Sequence, residues 1–490
     1  MIQPDKDEKV VLESSKSEVR TPDSVEFNQS VPPKKKGNRM LNRFQVGWGV
    51  KQLALGWLAV GAFWGCQPRG VVRDIETQQP IEGAKIIYPA RDGRCAEIHT
   101  NDDGEYVIDN IVSSKSARAV IMADGYMALA DPNLRGGDYE LTPLPPGVRD
   151  TDQDGLADTE ENLFQTNPLE PDTDGDGLLD GWEIRGVPAQ GADGIALNLY
   201  CRGASPLRQD IFVEADWMED GEHSEAPLPM AISDVVRVFE SAPSANPDGS
   251  NGISIHVDFG RRPNDGGNAV EFQEWTTWEE FQRIKQDNFV PEREGIYHYT
   301  LFSHRVVEAP NYTGFAEIGG DDFLLGINGP LEAFGIPRIM LLVQWLQRGA
   351  FLHELGHNLG LRHGGSDDVN FKPNYVSIMN YRHRLDTFDY SREELDTLDE
   401  TALDESIGIG GGPIDWNKNG QIDPDFVQAD IDYLNPLLQY LCDCGRPNGE
   451  YRELEGHNDW ANLELNFRDS RHGVSIASCE TILDPLEWLE

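Results

Sequence analysis

Three histidines and one glutamate stand at the spacing of a metal-binding catalytic motif. His353 and His357 are four residues apart, so on a helix both imidazoles lie on one face and can reach one cation. Glu354 follows the first histidine, where its carboxylate can approach a water on that metal. His363 comes after Gly360, which can end a helix with a positive φ and turn the chain back. This spacing predicts a zinc site with three histidine ligands and Glu354 as general base.

The plainest alternative is a pair of surface histidines on an ordinary helix. An HExxH pattern alone is a modest signal, because it occurs by chance in helices. The added Gly360 and His363 give three ligands and leave one position open for water, which is the arrangement of a catalytic zinc site. His256 and His298 lie in predicted strands, and we expect them to be packed or exposed residues rather than ligands.

Two acidic repeats upstream predict calcium binding. Both place oxygen side chains at loop positions 1, 3, 5, 9 and 12 and glycine at position 6, which is the spacing of an EF-hand loop. The residues are Asp150, Asp152, Asp154, Asp158 and Glu161 in the first repeat and Asp172, Asp174, Asp176, Asp180 and Glu183 in the second. A disordered acidic linker is the alternative, but two copies in one register favour calcium.

The elements that must position these residues can be read from hydrophobic periodicity. Pro337 precedes a long apolar helix predicted from about Arg338 to Leu359, which carries the first two histidines. Between residues 207 and 302, predicted strands alternate with predicted helices, which indicates an α/β (α+β) region with a mixed sheet. The segment Gly314–Ile318 is a candidate edge strand that could pair with an extended substrate.

The stretch from His353 to His363, together with Ser377–Tyr381, resembles the metzincin zinc proteases. The resemblance implies a metzincin-like catalytic domain over residues 200–475 that hydrolyses protein or peptide substrates. Met379 would form the Met-turn beneath the zinc, and Tyr381 would be a further ligand or an oxyanion stabiliser. An ordinary core methionine and a structural tyrosine are the alternatives. Gly364 stands where the adamalysin subgroup has Asp, so the subgroup stays open.

Two further resemblances describe the region before the catalytic domain. Short apolar runs and turns over residues 69–145 predict a small antiparallel β-sandwich and resemble the carboxypeptidase regulatory-like domain. Residues 148–187, which contain the acidic loops, resemble thrombospondin type 3 calcium repeats. The chain is therefore expected to be multidomain. Cys95 in the sandwich could be a latency-maintaining thiol on the zinc, or a buried or disulfide-bonded cysteine.

Residues 1–66 predict export. A basic stretch and an apolar run from Leu53 to Gly65 fit a signal peptide, for which Met40 is a candidate start. The segment ending at Cys66 resembles a bacterial lipobox, which implies a lipid anchor on that cysteine. A plain secreted protein with an ordinary cleavage site is the alternative. We expect an extracellular or cell-surface bacterial protein whose only membrane contact would be that anchor.

The charge balance narrows the class of partner. Asp and Glu number 85 against 41 Lys and Arg, and the net charge is −44. Such a surface repels nucleic acid, whose phosphates require cationic side chains, and suits Ca²⁺. We therefore expect an exported zinc endopeptidase with Zn²⁺ and Ca²⁺ as cofactors and no nucleic-acid partner. The alternative is a calcium-binding adhesion or binding protein with a non-catalytic, protease-like scaffold.

Overall fold

The computed structural model describes residues 68–111, 118–134, 136–189, 194–261, 266–308, 313–333, 335–384, 386–433, 449–467 and 475–477. The predicted export segment at residues 1–66, with Cys66, lies outside the described residues. The cysteines Cys442, Cys444 and Cys479 also lie outside them.

Seven short strands between residues 69 and 141 form two sheets around one apolar core. They are β1 (Arg69–Asp74), β2 (Lys85–Pro89), β3 (Cys95–His99), β4 (Glu105–Val107), β5 (Ala119–Met122), β6 (Leu129–Asp131) and β7 (Tyr139–Leu141). One sheet has the order β4-β1-β7 and the other β3-β2-β5-β6. Buried residues of both sheets, such as Val72 and Ile86, belong to one cluster. The sequence predicts antiparallel pairing, but β1 and β7 pair in parallel, because the chain crosses between the sheets rather than turning in a hairpin.

Each acidic repeat ends in a short helix that packs on its neighbours. The helices are α1 (Asp158–Phe164) and α2 (Asp180–Arg185). Glu160 accepts the Ala128 backbone N–H of the sandwich at 2.8 Å and pairs with Arg185 at 2.5 Å. Asp154 accepts the Gly181 backbone N–H at 2.8 Å. These contacts join the first repeat to the sandwich and to the second repeat.

A seven-stranded mixed sheet forms the centre of the following region. Its strands are β10 (Asp210–Glu219), β11 (Ser254–Asp258), β12 (Ala269–Glu271), β13 (Tyr297–Ser303), β14 (Gly314–Ile318), β15 (Asp322–Gly326) and β18 (Ser475–Ala477). Two separate two-stranded sheets are formed by β8 (Val187–Pro188) with β9 (Ile195–Leu197) and by β16 (Leu398–Asp399) with β17 (Glu453–Leu454). The order is β11-β10-β13-β15-β14-β18, with β12 also pairing with β10. All residues of β13 and β15 are buried, as expected for central parallel strands covered on both faces.

Helices cover both faces of this sheet. They are α3 (Leu199–Arg202), α4 (Pro229–Glu240), α5 (Trp278–Asn288), α6 (Asn328–Ala333) and α7 (Met340–Asn358). Residues of α4 and α7, among them Phe239 and Phe351, share one apolar cluster with the sheet, and Phe281 of α5 belongs to the cluster on the other face. None of the described helices is long and apolar enough to cross a membrane.

The prediction that β14 is an edge strand is wrong over Ala316–Ile318. These three residues pair antiparallel with Ser475–Ala477, so β18 occupies that side of β14. The sequence gives no local sign of this pairing, because the two strands lie far apart along the chain and only the folded topology brings them together.

A disulfide between Cys95 and Cys201 connects the sandwich to α3. The two cysteines are 106 residues apart, and their Cα atoms are 5.9 Å apart. The sequence left open whether Cys95 is a thiol on the zinc or a buried or disulfide-bonded cysteine. The structure shows that it is disulfide-bonded, so it has no free thiol that could bind a metal.

Removal of this disulfide should destabilise the oxidised protein. Closing so long a loop restricts the unfolded chain, so we expect Cys95→Ser combined with Cys201→Ser to lower the free energy of unfolding by about 2–5 kcal/mol. Denaturant titration with and without reductant measures the change. The reduced wild-type protein serves as the control and should approach the variant. Equal stabilities of oxidised and reduced wild type would contradict the prediction.

Candidate functional site

Helix α7 and the turn after it bring three imidazoles to one point. His353 and His357 lie on the buried side of the helix, which ends at Asn358. Gly360 then adopts a φ of 89°, a conformation that residues with a side chain rarely take. The chain turns and His363 returns, so that one ring nitrogen of each histidine lies within 4.8 Å of the other two. The structure therefore brings together the three predicted ligands.

Backbone carbonyls fix which nitrogen these rings offer. Nδ1 of His353 lies 3.0 Å from the Ile378 carbonyl oxygen, and Nδ1 of His357 lies 2.8 Å from the Leu361 carbonyl oxygen. A carbonyl only accepts, so each Nδ1 carries the proton and each Nε2 keeps its lone pair. Within the described part of the chain, the Nε2 atoms of all three histidines are buried without a hydrogen-bond partner.

The electrostatics of the site favour neutral imidazoles. Burial lowers the pKa of His357 to about 4 and holds the pKa values of His353 and His363 well below the usual value. Neutral imidazole is the form that ligates a metal, and three imidazoles with one open position are a donor set of catalytic Zn²⁺. The unpaired Nε2 atoms and their neutral state therefore fit zinc.

Glu354 lies beside this point with its carboxylate inside the protein. The residue is 1% exposed, and Oε2 has no partner among the described residues. Burial raises the pKa of Glu354 to about 8, and the charge of Arg384 opposes that rise. A divalent cation on the histidines would favour the ionised form still more. Strand β14 passes close by, because a Cβ at Gly314 would lie 2.4 Å from Oε1.

Met379 packs against the same helix. It is fully buried, and a Cβ at Gly356 would lie 2.5 Å from the Met379 sulfur, so the turn rests on α7 next to His357. The Met379 backbone N–H donates to Ser377 Oγ at 3.1 Å. Ser377 Oγ in turn donates to a carboxylate oxygen of Asp459 at 2.5 Å.

Asp459 is a supporting residue that sequence reasoning missed. Its carboxylate is buried and also accepts the Tyr375 hydroxyl at 2.8 Å and the Ser391 backbone N–H at 3.0 Å. Burial raises the pKa of Asp459. The residue lies 82 positions after Ser377, and the segment around it has no recognisable motif, so no sequence signal assigns it to this turn.

Tyr381 and an adjoining cavity complete the site. The Tyr381 ring centroid lies 4.6 Å from that of His363, and the Arg384 guanidinium lies 4.9 Å from the Tyr381 ring. A cavity of about 160 Å³ opens beside Glu354. Its lining includes His353, Glu354, Ile378, Tyr381, Trp345, Leu346, Arg348, Arg384 and Phe388. The cavity is apolar over much of its wall and is large enough for a side chain.

The two acidic loops hold their carboxylates in the same way. One oxygen of each of Asp150, Asp152 and Asp154 lies within 4.8 Å of the others, and so do those of Asp172, Asp174 and Asp176. The residues at loop position 9 accept hydrogen bonds from a threonine of their own loop. Asp158 accepts the backbone N–H and hydroxyl of Thr151, both at 2.9 Å, and Asp180 accepts those of Thr173 at 2.9 and 2.6 Å.

The position-12 glutamates are suited to bind a cation. Both carboxylate oxygens of Glu161 and of Glu183 are buried without a hydrogen-bond partner in the described ranges. Burial and neighbouring carboxylates raise the pKa of Asp174 to about 8 and that of Glu161 to about 7. Carboxylates that repel one another in a buried place are stabilised by a hard cation with oxygen ligands.

Comparison with known families identifies the acidic loops. A family model described as "Bacterial TSP3 repeat" matches residues 150–171 and 172–185. The chain carries two bacterial TSP3 repeats. Repeats of this type bind calcium and indicate an extracellular or cell-surface protein, so the calcium part of the prediction is confirmed. No curated protein sequence matches the chain at a significant level.

Among solved structures, the chain is similar to shaft pilin SpaA from Lactobacillus rhamnosus GG. A double mutant matches with 15% identity, a TM-score of 0.14 and coverage of 16% of this chain and 47% of that chain. Another SpaA structure matches with 13% identity, a TM-score of 0.13 and coverage of 16% of this chain and 46% of that chain. A structure of the SpaA C-terminal domain matches with 13% identity, a TM-score of 0.13 and coverage of 16% of this chain and 97% of that chain. The matched part spans about half of the first two pilin chains, and scores this low carry no argument about function.

Loss of the Asp459 carboxylate should destabilise the turn at Met379, which packs against α7. We expect Asp459→Asn to lower the free energy of unfolding by about 1–3 kcal/mol, because buried hydroxyl donors lose a charged acceptor. Any zinc affinity of the three histidines should fall by about tenfold, because Ser377, which Asp459 holds, precedes Ile378, whose carbonyl orients His353. Denaturant titration and zinc competition with a chromogenic chelator measure the two effects. Asp248→Asn on an exposed turn should change neither, and equal effects of both substitutions would contradict this role.

The raised carboxylate pKa values predict how calcium dependence varies with pH. Without calcium, Asp174 and Glu161 hold protons in the folded state that they lose when unfolded, so stability falls as pH rises from about 4 to about 8. The slope is at most about 1.4 kcal/mol per pH unit for each group. Calcium replaces these protons, so the calcium-induced rise in Tm should grow from pH 5 to pH 8. Thermal melts in EGTA and in calcium at each pH measure it, and a pH-independent rise would contradict it.

Proposed function

We propose that the chain is an exported zinc-dependent endopeptidase. One observation carries the proposal: three buried Nε2 lone pairs converge without a hydrogen-bond partner among the described residues, beside the buried carboxylate of Glu354. Buried polar atoms are normally paired, so three unpaired atoms at one point indicate a ligand that the protein itself does not supply. The metzincin resemblance of residues 353–381 names the same residues independently.

The residues around this point suit amide hydrolysis. His353, His357 and His363 would hold the metal, which when bound supplies a Lewis acid that polarises a carbonyl oxygen and acidifies a water. Glu354 would take a proton from the attacking water at its free Oε2 and later deliver that proton to the leaving amine nitrogen. The ionised carboxylate, which a bound cation would favour, suits the first step, and the protonated carboxyl that results suits the second. Tyr381, packed against His363, is our candidate for stabilising the developing oxyanion.

Substrate would lie between β14 and the cavity. Gly314 brings the β14 backbone against Glu354, and the outer side of Ala316–Ile318 is taken by β18. An extended peptide is therefore proposed to pair with the strand near its Gly314 end only. The cavity beside Glu354 would receive one substrate side chain. Protein or peptide substrates fit this arrangement, and nucleic acid does not fit the acidic chain.

Export belongs to the same proposal. The apolar run before Cys66 and the disulfide between Cys95 and Cys201 both suit an oxidising compartment outside the cytoplasm. We propose that the mature protein is lipid-anchored at Cys66. A Cys66→Ser variant that stays with the membrane fraction would remove the anchor from this proposal.

A second function is favoured by a separate observation. The TSP3 repeats are the segments that match a family model, and they support a calcium-binding surface protein without reference to catalysis. In that case the histidine site would be a scaffold for adhesion or binding of a partner. The two proposals differ in one measurable property, which is hydrolysis that depends on Glu354.

We expect Glu354→Gln to abolish peptidase activity while zinc remains bound. Removal of a general base should lower the rate by about 10²–10⁴-fold, because proton transfer from water loses its acceptor. Casein hydrolysis and zinc content by elemental analysis give the two readouts. The amide has nearly the same volume, so the fold should be retained.

Glu222→Gln, which removes one exposed carboxylate elsewhere, is the matched control and should leave the rate unchanged. A zinc chelator should stop hydrolysis, and added Zn²⁺ should restore it. Hydrolysis that survives both the chelator and Glu354→Gln would exclude the zinc mechanism. A wild-type protein that binds zinc but hydrolyses none of a diverse peptide library would favour the surface-binding function.

A further inference from the structure

Three carboxylates from two parts of the chain meet where the second repeat packs against the large sheet. Asp176 and Glu183 belong to the repeat, and Asp210 is the first residue of β10. One carboxylate oxygen of each lies within 4.8 Å of the other two. The three residues are 4%, 0% and 3% exposed, so water screens their mutual repulsion poorly.

Glu183 gives an independent sign of a ligand at this place. It is fully buried, and neither carboxylate oxygen has a hydrogen-bond partner among the residues the structure describes. Asp174 Oδ2, in the same loop, is buried and unpartnered as well. A buried carboxylate that accepts no hydrogen bond is costly, and a bound cation removes that cost.

Asp210 is held in position to contribute an oxygen. Its Oδ1 lies 2.6 Å from Nε2 of His256, and its Oδ2 accepts the Ser205 backbone N–H at 2.8 Å. Its own backbone N–H donates to Asp176 Oδ2 at 2.7 Å, which ties the strand to the loop. Each carboxylate oxygen can accept more than one interaction, so these contacts orient the ligands and leave lone pairs for a metal.

The chemistry of the donors selects the cation. The cluster offers only carboxylate oxygens, and three carboxylates can supply up to about six of the 6–8 oxygen ligands that Ca²⁺ takes. We propose that Asp176, Glu183 and Asp210 bind a calcium ion shared between the second repeat and β10. Loop spacing accounts for the first two residues, whereas Asp210 lies outside both repeats.

The shared ion would make the sheet depend on calcium. Strand β10 pairs with β11, β12 and β13 and is therefore central to the region that carries the zinc site. Calcium that binds only the folded arrangement stabilises that region as well as the loop. The ion would thus act as a clamp between the repeat and the sheet.

Asp210→Asn in the full chain tests the clamp. We expect one calcium fewer per chain by elemental analysis after equilibration at defined free calcium, and a calcium-induced rise in Tm reduced by at least half. Glu222→Gln removes one exposed charge and should keep the wild-type count and Tm rise. An unchanged calcium count and Tm rise in Asp210→Asn would overturn the proposal.

Glu183→Gln is the second variant if Asp210→Asn does not fold, because Glu183 accepts no hydrogen bond from the residues that the structure describes. It should lose the same single calcium, and an unchanged count would overturn the proposal. Where both variants fold, the double variant should lose no more than either alone, since one ion is shared. Zinc content is measured in parallel, so failure of the clamp is distinguishable from failure of the peptidase proposal.

Discussion

His353 and His357 each direct the Nδ1 proton to a backbone carbonyl, and that choice determines the rest of the site. Once Nδ1 is occupied, each Nε2 lone pair must face inward, where no donor from the described chain reaches it. The turn at Gly360, the Met379 turn and the Asp459 network all maintain this arrangement. Without a cation the protein would bury three acceptors unpaired, which native structures avoid.

The acidic part of the chain follows the same principle with oxygen in place of nitrogen. Glu161 and Glu183 bury carboxylates that accept no hydrogen bond from the described residues, and burial, together with the nearby Asp172 and Asp210 carboxylates, raises the pKa of Asp174. The two kinds of site differ in donor atom, so they select different ions. The proposed histidine site would favour a borderline metal such as Zn²⁺, whereas the carboxylate loops favour calcium.

What the sequence could predict depended on how far apart the interacting residues lie. The spacing of His353, His357 and His363 is local, so helix geometry and one glycine sufficed to bring them together. The start of α4 also follows from local sequence, since Pro229 is favoured in the first turn of a helix. Asp459, Asp210 and the pairing of β14 with β18 could not be predicted, because each contact joins segments whose proximity is a property of the whole fold.

The bond between Cys95 and Cys201 has a consequence if the backbone is cut. A single cut of the backbone anywhere between these residues would leave two fragments that stay covalently attached. A nicked molecule would then migrate as one species without reductant and as two with it. Whatever fastens the N-terminal part to a surface would still hold the histidine-bearing part after such a cut. The linkage therefore keeps the two fragments in one molecule, a property separate from folding stability.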